Sequence, residues 1–341
     1  MNRTQIVKKS LNFEDPGIVP YSIYLTEEGY GLYGDRLIDD YGNEKIQTDY
    51  RQGKLSQKEA ASLAIGNFIL YAEAPWWDWI NLPAEFKEED TPEGLPDTIG
   101  KGSYEAFFEK VEYLKKNYDA YILVTIWGSH WEKAYFSRGI ENFLCDLAAD
   151  PEWCRKLLEL IIRKNLVMLE NILTCPYIDG VLLGSDWGTQ NDLIMSPECF
   201  RTLIKEGEIQ EYKLIKKYKK NVFVHSCGNI IRIMDDLAEM GVECLNPIQP
   251  ECMDIYRLKK DYGKRIAFYG GISTQRVLPY GTAEEVEAEA RKVIEAMKEN
   301  GGYITGPSQE IQEDVPYENL CALIKTANQY GSSNDGWGGR E

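Results

Sequence analysis

Short apolar runs rich in β-branched residues recur along this chain, each closing on polar residues and followed by a longer stretch whose apolar positions return at helical spacing. The runs at 17–25, 120–126, 178–184, 221–227, 242–246, 265–269 and 302–305 read as strands, several of them apolar enough to be buried on both faces. Between them the pattern predicts helices over 4–12, 103–117, 139–149, 151–173, 196–219, 230–239, 252–261, 282–300 and 316–330, and one running from Ser56 through an Ala-rich segment toward Tyr71. Local signals mark their starts. Ser56 with Glu59 three residues on forms a capping-box pattern, Thr282 stands as a cap, and Pro151 and Pro197 suit a first helical turn.

Strand–helix alternation implies parallel strands joined by right-handed crossovers, so the strand C-termini point one way and their loops converge. The economical solution is an α/β fold of the (β/α)8 TIM-barrel type. It would carry an N-terminal helical extension and an excursion near 76–102, where Pro, Glu and Gly predominate. A doubly wound open sheet is the alternative, but no Gly-rich phosphate loop follows the first strand. The expected organisation is a single barrel domain over 1–330 with a disordered Gly- and Ser-rich tail at 331–341.

Net charge of −17 argues against nucleic acid and anionic membranes as partners, since both attract basic surfaces. No stretch approaches the roughly 20 apolar residues that span a bilayer, and the first residues lack a signal peptide's apolar core, so the expected location is cytoplasmic. The eight cysteines include no CxxC pair and do not read as a disulfide framework.

Chemistry is concentrated at 221–229. The Val and Phe run stops at His225 and Cys227, which share a face of an extended backbone, before a turn at Gly228. Imidazole and thiolate together suit zinc; a buried cysteine beside a hydrogen-bonded histidine is the plainer reading of the same triplet. Other strand ends offer Asp186, Gln190, Gln249 and Tyr269. Asp186 either orients a ligand or caps its turn. His130, in a loop after the second run, is either a site residue or merely hydrogen-bonded. Trp76, Trp77 and Trp79, three of eight tryptophans, either plug the end of a core or form an aromatic wall for a planar or cationic substrate group.

The segments Ser137-Arg-Gly-Ile-Glu, Gly184-Ser-Asp-Trp-Gly-Thr-Gln190, Ser196-Pro-Glu-Cys-Phe-Arg201, Val224-His-Ser-Cys-Gly-Asn229, Gly241-Val-Glu-Cys-Leu-Asn-Pro-Ile-Gln249, Tyr269-Gly-Gly-Ile-Ser-Thr-Gln275 and Asp314-Val-Pro-Tyr-Glu-Asn319 occur in that order. Together they resemble the uroporphyrinogen decarboxylase superfamily, specifically its methyltransferase-like branch from corrinoid-dependent systems. The resemblance begins near residue 138 and implies a (β/α)8 barrel. The decarboxylases' arginine-rich N-terminal motif has only Arg51-Gln-Gly53 as a counterpart here, without its flanking residues.

The methyltransferase branch holds zinc with a His-x-Cys pair and a distant cysteine after the last strand. His225 and Cys227 match the pair, whereas the corresponding loop, Gly306-Pro-Ser-Gln-Glu310, has no cysteine and offers Glu310 as its nearest donor, with Cys252 as a rival. A carboxylate in place of a thiolate gives a harder, more Lewis-acidic metal. The resemblance therefore implies zinc-dependent methyl transfer between a small substrate (a methyl ether, quaternary amine or thiol) and a corrinoid on a partner protein. The missing thiolate favours a methyl ether or similar donor, with Trp76, Trp77, Gln249 and Tyr269 binding substrate and Asp186 and Gln190 serving catalysis. Arg138 is expected to serve structure through a buried ion pair or a backbone carbonyl contact, or else to meet an anionic substrate group. A uroporphyrinogen-decarboxylase-like lyase and a metal-free binding barrel are the alternative readings.

Overall fold

The computed structural model describes residues 1–77 and 102–332. Most of the expected excursion at 76–102, Trp79 included, and nearly all of the expected tail at 331–341 lie outside the described residues. Seven strands, Ile69–Glu73 (β1), Tyr121–Ile126 (β2), Gly180–Gly184 (β3), Asn221–His225 (β4), Cys244–Ile248 (β5), Ala267–Ile272 (β6) and Tyr303–Pro307 (β7), form one sheet in the order of the sequence. The β2–β3, β3–β4, β5–β6 and β6–β7 pairs are parallel. Neighbouring parallel strands need a crossover, and the intervening helices supply it, giving the TIM-barrel-like α/β fold that the alternation predicts. Among the described residues no helix is long and apolar enough to cross a membrane.

Contacts group the chain into two compact units, one of residues 1–71, 118–121 and 244–341, the other of 72–117 and 122–243. In the first unit the segment 17–25, expected as a strand, makes only isolated parallel bridges, Tyr21 with Thr305 and Leu25 with Ile311. Pro20 has no N–H to give, so its carbonyl alone pairs, accepting from Thr305, while Ser22 donates back to the Thr305 carbonyl. On the other edge Phe68 donates to Tyr21, but both polar groups of Ile23 are taken by the Asn67 side chain, which accepts from its N–H at 2.9 Å and donates to its C=O at 2.8 Å. A side-chain amide thus occupies a position that a backbone rung would fill in a regular ladder.

The helix from Ser56 is shorter than expected. Its capping box is present, but it spans only Gln57–Ala64. Gly66 then takes a left-handed φ of +87°, and the residues after it run extended as β1 instead of continuing the helix. Two helices before it, Glu27–Tyr41 and Glu44–Arg51, were not expected; Thr26 and Asn43 cap them through their side chains.

The second unit carries β3, β4 and all of β2 after Tyr121. Asp179, just before β3, accepts from the Ile122 backbone at 2.9 Å and pairs with Lys115 at 2.5 Å, tying together the starts of adjacent strands. Helix Pro151–Leu173 has its proline in the first turn, as does Pro197–Cys199, which passes through a π-helical stretch, Phe200–Ile204, into Lys205–Lys217. Arg138 pairs with Asp146 at 2.6 Å, the structural ion pair the sequence suggested.

Asn67→Leu, similar in volume, strands two buried backbone groups of Ile23, each worth about 1–3 kcal/mol when left unpaired. Chemical denaturation should show a loss of about 2–5 kcal/mol; an unchanged midpoint would mean that segment 20–25 is held by other means.

Candidate metal centre

In the second unit β3 and β4 run in register so that Gly184 lies opposite His225, and the chain leaves both strands side by side. Four hydrogen bonds then join the two exits. Ser185 donates to the His225 carbonyl at 2.8 Å, Trp187 to Ser226 Oγ at 3.1 Å, Cys227 N–H to Asp186 Oδ1 at 2.8 Å, and Asn229 N–H to the Thr189 carbonyl at 2.7 Å. Such interlocking needs two backbones in contact, and glycines meet there. A Cβ on Gly188 would stand 2.5 Å from the Cys227 carbonyl oxygen, and one on Gly228, whose φ is +84°, would stand 2.5 Å from that of Thr189.

The result is a cluster of three unlike donors. His225 Nε2 lies 3.4 Å from Cys227 Sγ and 3.7 Å from Asp186 Oδ1, and the donor atoms of all three residues fall within 4.8 Å of one another. Ligands at zinc's usual bond lengths, about 2.3 Å to sulfur and about 2.0–2.2 Å to nitrogen and oxygen, stand about 3.4–3.6 Å apart around a tetrahedral centre. The two spacings from His225 Nε2, 3.4 Å and 3.7 Å, lie close to that requirement. His225 is buried while the Asp186 side chain is 42% exposed, so the cluster has one wet side, as a centre that exchanges ligands requires.

Two neighbours complete the setting, and neither stands out in the sequence pattern. Trp127, at the end of β2, is half-exposed and meets the His225 ring edge to face, with centroids 5.0 Å apart. Glu132 accepts from the backbone N–H of Gly128 at 2.7 Å and of Asp186 at 3.3 Å. Burial, and then the Asp186 carboxylate, push its carboxyl up to about 7 against the pull of those two donors. The signal for Glu132 was its place four residues after Gly128 in a polar strand exit, but nothing in the sequence shows that it turns back on the loop.

The other expected site residues fall in both units. Gln190 is exposed, on a turn that Thr189 closes onto the Asp192 carbonyl. Trp77 is buried, donates to Asn165 at 2.7 Å, and lies under Lys133 and Lys164, each 4.8 Å from its ring; Trp76 is half-buried. His130 is fully buried at the start of a helix beside Glu208 and Glu211, away from the loop position expected of it. Gln249, Tyr269, Cys252 and Glu310 belong to the first unit. There the Tyr269 hydroxyl donates to the Ser22 carbonyl and accepts from Tyr71, whose ring stacks on Tyr24, and burial raises the Tyr269 phenol. Cys252 donates to Gln249 Oε1 at 3.6 Å.

The family model described as Uroporphyrinogen decarboxylase (URO-D) matches residues 81–330. The methylcobamide:CoM methyltransferase MtaA of Methanosarcina barkeri is 28% identical over 137 residues, which are 40% of this chain and 38% of that protein. A uroporphyrinogen decarboxylase of Vesicomyosocius okutanii is 24% identical over 234 residues, 65% of this chain and 64% of the relative. Among solved structures, a methyltransferase from Methanosarcina mazei shares the fold with a TM-score of 0.69 at 16% identity, covering 97% of this chain and 100% of that one.

In metal-free protein Glu132 should make stability fall as pH rises. Between its ordinary value of 4.5 and about 7 the unfolded chain has released a proton that the folded chain still holds, a difference on the order of 3 kcal/mol. Urea unfolding of chelator-treated Glu132→Gln across that window should show a flatter pH profile than the parent; parallel profiles would mean that Glu132 is ionised in the fold throughout.

Proposed function

Because the chain belongs to the uroporphyrinogen decarboxylase (URO-D) family, we propose that it is a methyltransferase of that family. It would move a methyl group between a small substrate, either a methyl ether, a quaternary amine or a thiol, and the corrinoid of a partner protein. The observation that carries this reading is the convergence of Cys227 Sγ and Asp186 Oδ1 on His225 Nε2, at 3.4 Å and 3.7 Å, with all three donor atoms within 4.8 Å of one another. The methylcobamide:CoM methyltransferase of M. barkeri supports the reaction class. Decarboxylation of a polyanionic substrate has less support: Arg51, the only counterpart of the arginine-rich motif, sits exposed at the end of a surface helix and donates to Gln47.

Zinc bound by the three residues supplies a Lewis acid for the heteroatom of the methyl donor or acceptor, and the partner's corrinoid supplies the methyl-carrying cobalt. The protein's own groups do the positioning. The Cys227 N–H fixes Asp186 Oδ1, and the β3–β4 register fixes His225, so the three donors are arranged before any ligand arrives. With the Asp186 carboxylate as third donor and no cysteine in the loop after the last strand, the donor set is harder, which favours an oxygen-linked methyl group. Trp127, half-exposed, offers an apolar surface beside His225 for a methyl group. Glu132 holds a proton near neutral pH within the same loop junction.

Elemental analysis of the purified protein, beside methyl transfer followed through the visible spectrum of added cobalamin, tests this. The parent should bind zinc and react with an aryl methyl ether or a thiol. His225→Ala and Cys227→Ala should lose the metal and the reaction, and Asp186→Asn should weaken zinc binding about 10–100-fold. A parent that takes up no zinc, or variants that react undiminished, would refute the assignment.

A further inference from the structure

The second unit holds another convergence of metal-ligating groups, apart from the His225 cluster and unused by the function proposed above. We propose that His130, Glu208 and Glu211 form a second, closed site for a divalent first-row metal such as zinc. His130 opens the helix His130–Arg138, and the two glutamates lie three residues apart on one face of Lys205–Lys217. All three side chains are fully buried. His130 Nδ1 stands 3.2 Å from Glu208 Oε1 and 3.9 Å from Glu211 Oε2, and donor atoms of the three residues lie within 4.8 Å of one another.

The hydrogen bonds single out the converging atoms. Glu208 turns Oε2 to the Tyr212 hydroxyl at 2.7 Å, and Glu211 turns Oε1 to Asn165 at 2.8 Å, which the Trp77 indole N–H orients in turn at 2.7 Å. Each carboxylate is thus held by one oxygen and aims the other inward. Of the inward atoms, Glu208 Oε1 has a long contact from Ser185 Oγ at 3.4 Å and faces His130 Nδ1 at 3.2 Å, while Glu211 Oε2 and His130 Nδ1 meet no partner in hydrogen-bond geometry. Oxygens fixed from behind with free lone pairs in front are what an outer shell provides around a bound cation.

Charge points the same way. Two fully buried carboxylates need compensation, and among the described residues the imidazole is the only cationic group paired with either. Without a metal, a protonated imidazole balances one of them and burial pushes the Glu211 carboxyl up toward its neutral form; a divalent ion with neutral His130 would balance both as carboxylates. The helix backbone comes against the ring at a residue with no side chain, since a Cβ on Gly207 would stand 2.7 Å from His130 Nε2 and 2.9 Å from Ile162 Cδ1. One imidazole and two carboxylates with no sulfur suit zinc, manganese or ferrous iron, and full enclosure suits a structural role.

The test deletes the first cluster, so its outcome does not depend on the function proposed above. The His225→Ala/Cys227→Ala protein, loaded with zinc and desalted, should keep about one zinc per chain, and its X-ray absorption should show a nitrogen and oxygen shell without sulfur. Adding Glu211→Gln, which leaves an acceptor for Asn165, should lower retained zinc at least about tenfold and abolish the rise in melting temperature that zinc gives the double variant. No retained zinc in the double variant, sulfur in its metal shell, or zinc undiminished by Glu211→Gln would each overturn the site. Should Glu211→Gln not fold, the absorption spectrum of the double variant decides alone.

Discussion

The contact between the exits of β3 and β4 governs what this protein can do. One carboxylate oxygen, Asp186 Oδ1, accepts the Cys227 backbone N–H and lies 3.7 Å from the His225 ring nitrogen, so a single atom both fixes the turn and presents a donor to the cluster. That arrangement requires the two loops to touch backbone to backbone. A side chain at Gly188 or Gly228 would meet the facing backbone at 2.5 Å and force the loops apart, disturbing the convergence of sulfur, nitrogen and oxygen. The rest of the second unit supports this junction: parallel register brings Gly184 beside His225, and Asp179 with Lys115 aligns the strands at their other ends.

The chemistry follows from the asymmetry around that junction. His225 is buried, whereas Trp127, which meets its ring, and Asp186 are both partly in water. Glu132 lies behind, holding the loop through two backbone N–H groups while burial and the Asp186 charge keep its proton on to about pH 7. The same unit contains a second group of inward-facing donors, enclosed where the first is accessible. Their difference in ligand type, sulfur in one and none in the other, is a physical basis for holding metal in two different roles.

Much of this was legible in the sequence, and the failures have identifiable causes. Alternating apolar runs predicted the parallel sheet, and His225 with Cys227 stood out because a strand ends on two soft ligands and a glycine. Asp186 was legible as a strand-end residue, but as an orienting group and not as the donor nearest the pair, because the β3–β4 register that brings it there is a long-range contact. The strand Ile69–Glu73 was mistaken for helix because the Ala-rich segment before it carries the helical period up to Gly66, and only the left-handed turn there separates the two. Segment 17–25 looked like a full strand because its residues have strand character; the Asn67 side chain, distant in sequence, takes the place of its ladder partner. The buried trio of His130, Glu208 and Glu211 was invisible for the same reason, since the histidine and the glutamates are separated by a whole strand and a long helix.

The most direct test of the central claim is diffraction from crystals grown with zinc, recorded on either side of the zinc absorption edge. An anomalous peak within about 2.0–2.4 Å of Cys227 Sγ, His225 Nε2 and Asp186 Oδ1 together is the predicted result. Diffraction from zinc-soaked crystals with no anomalous density between those three atoms, and with Cys227 Sγ turned away from His225, would contradict it.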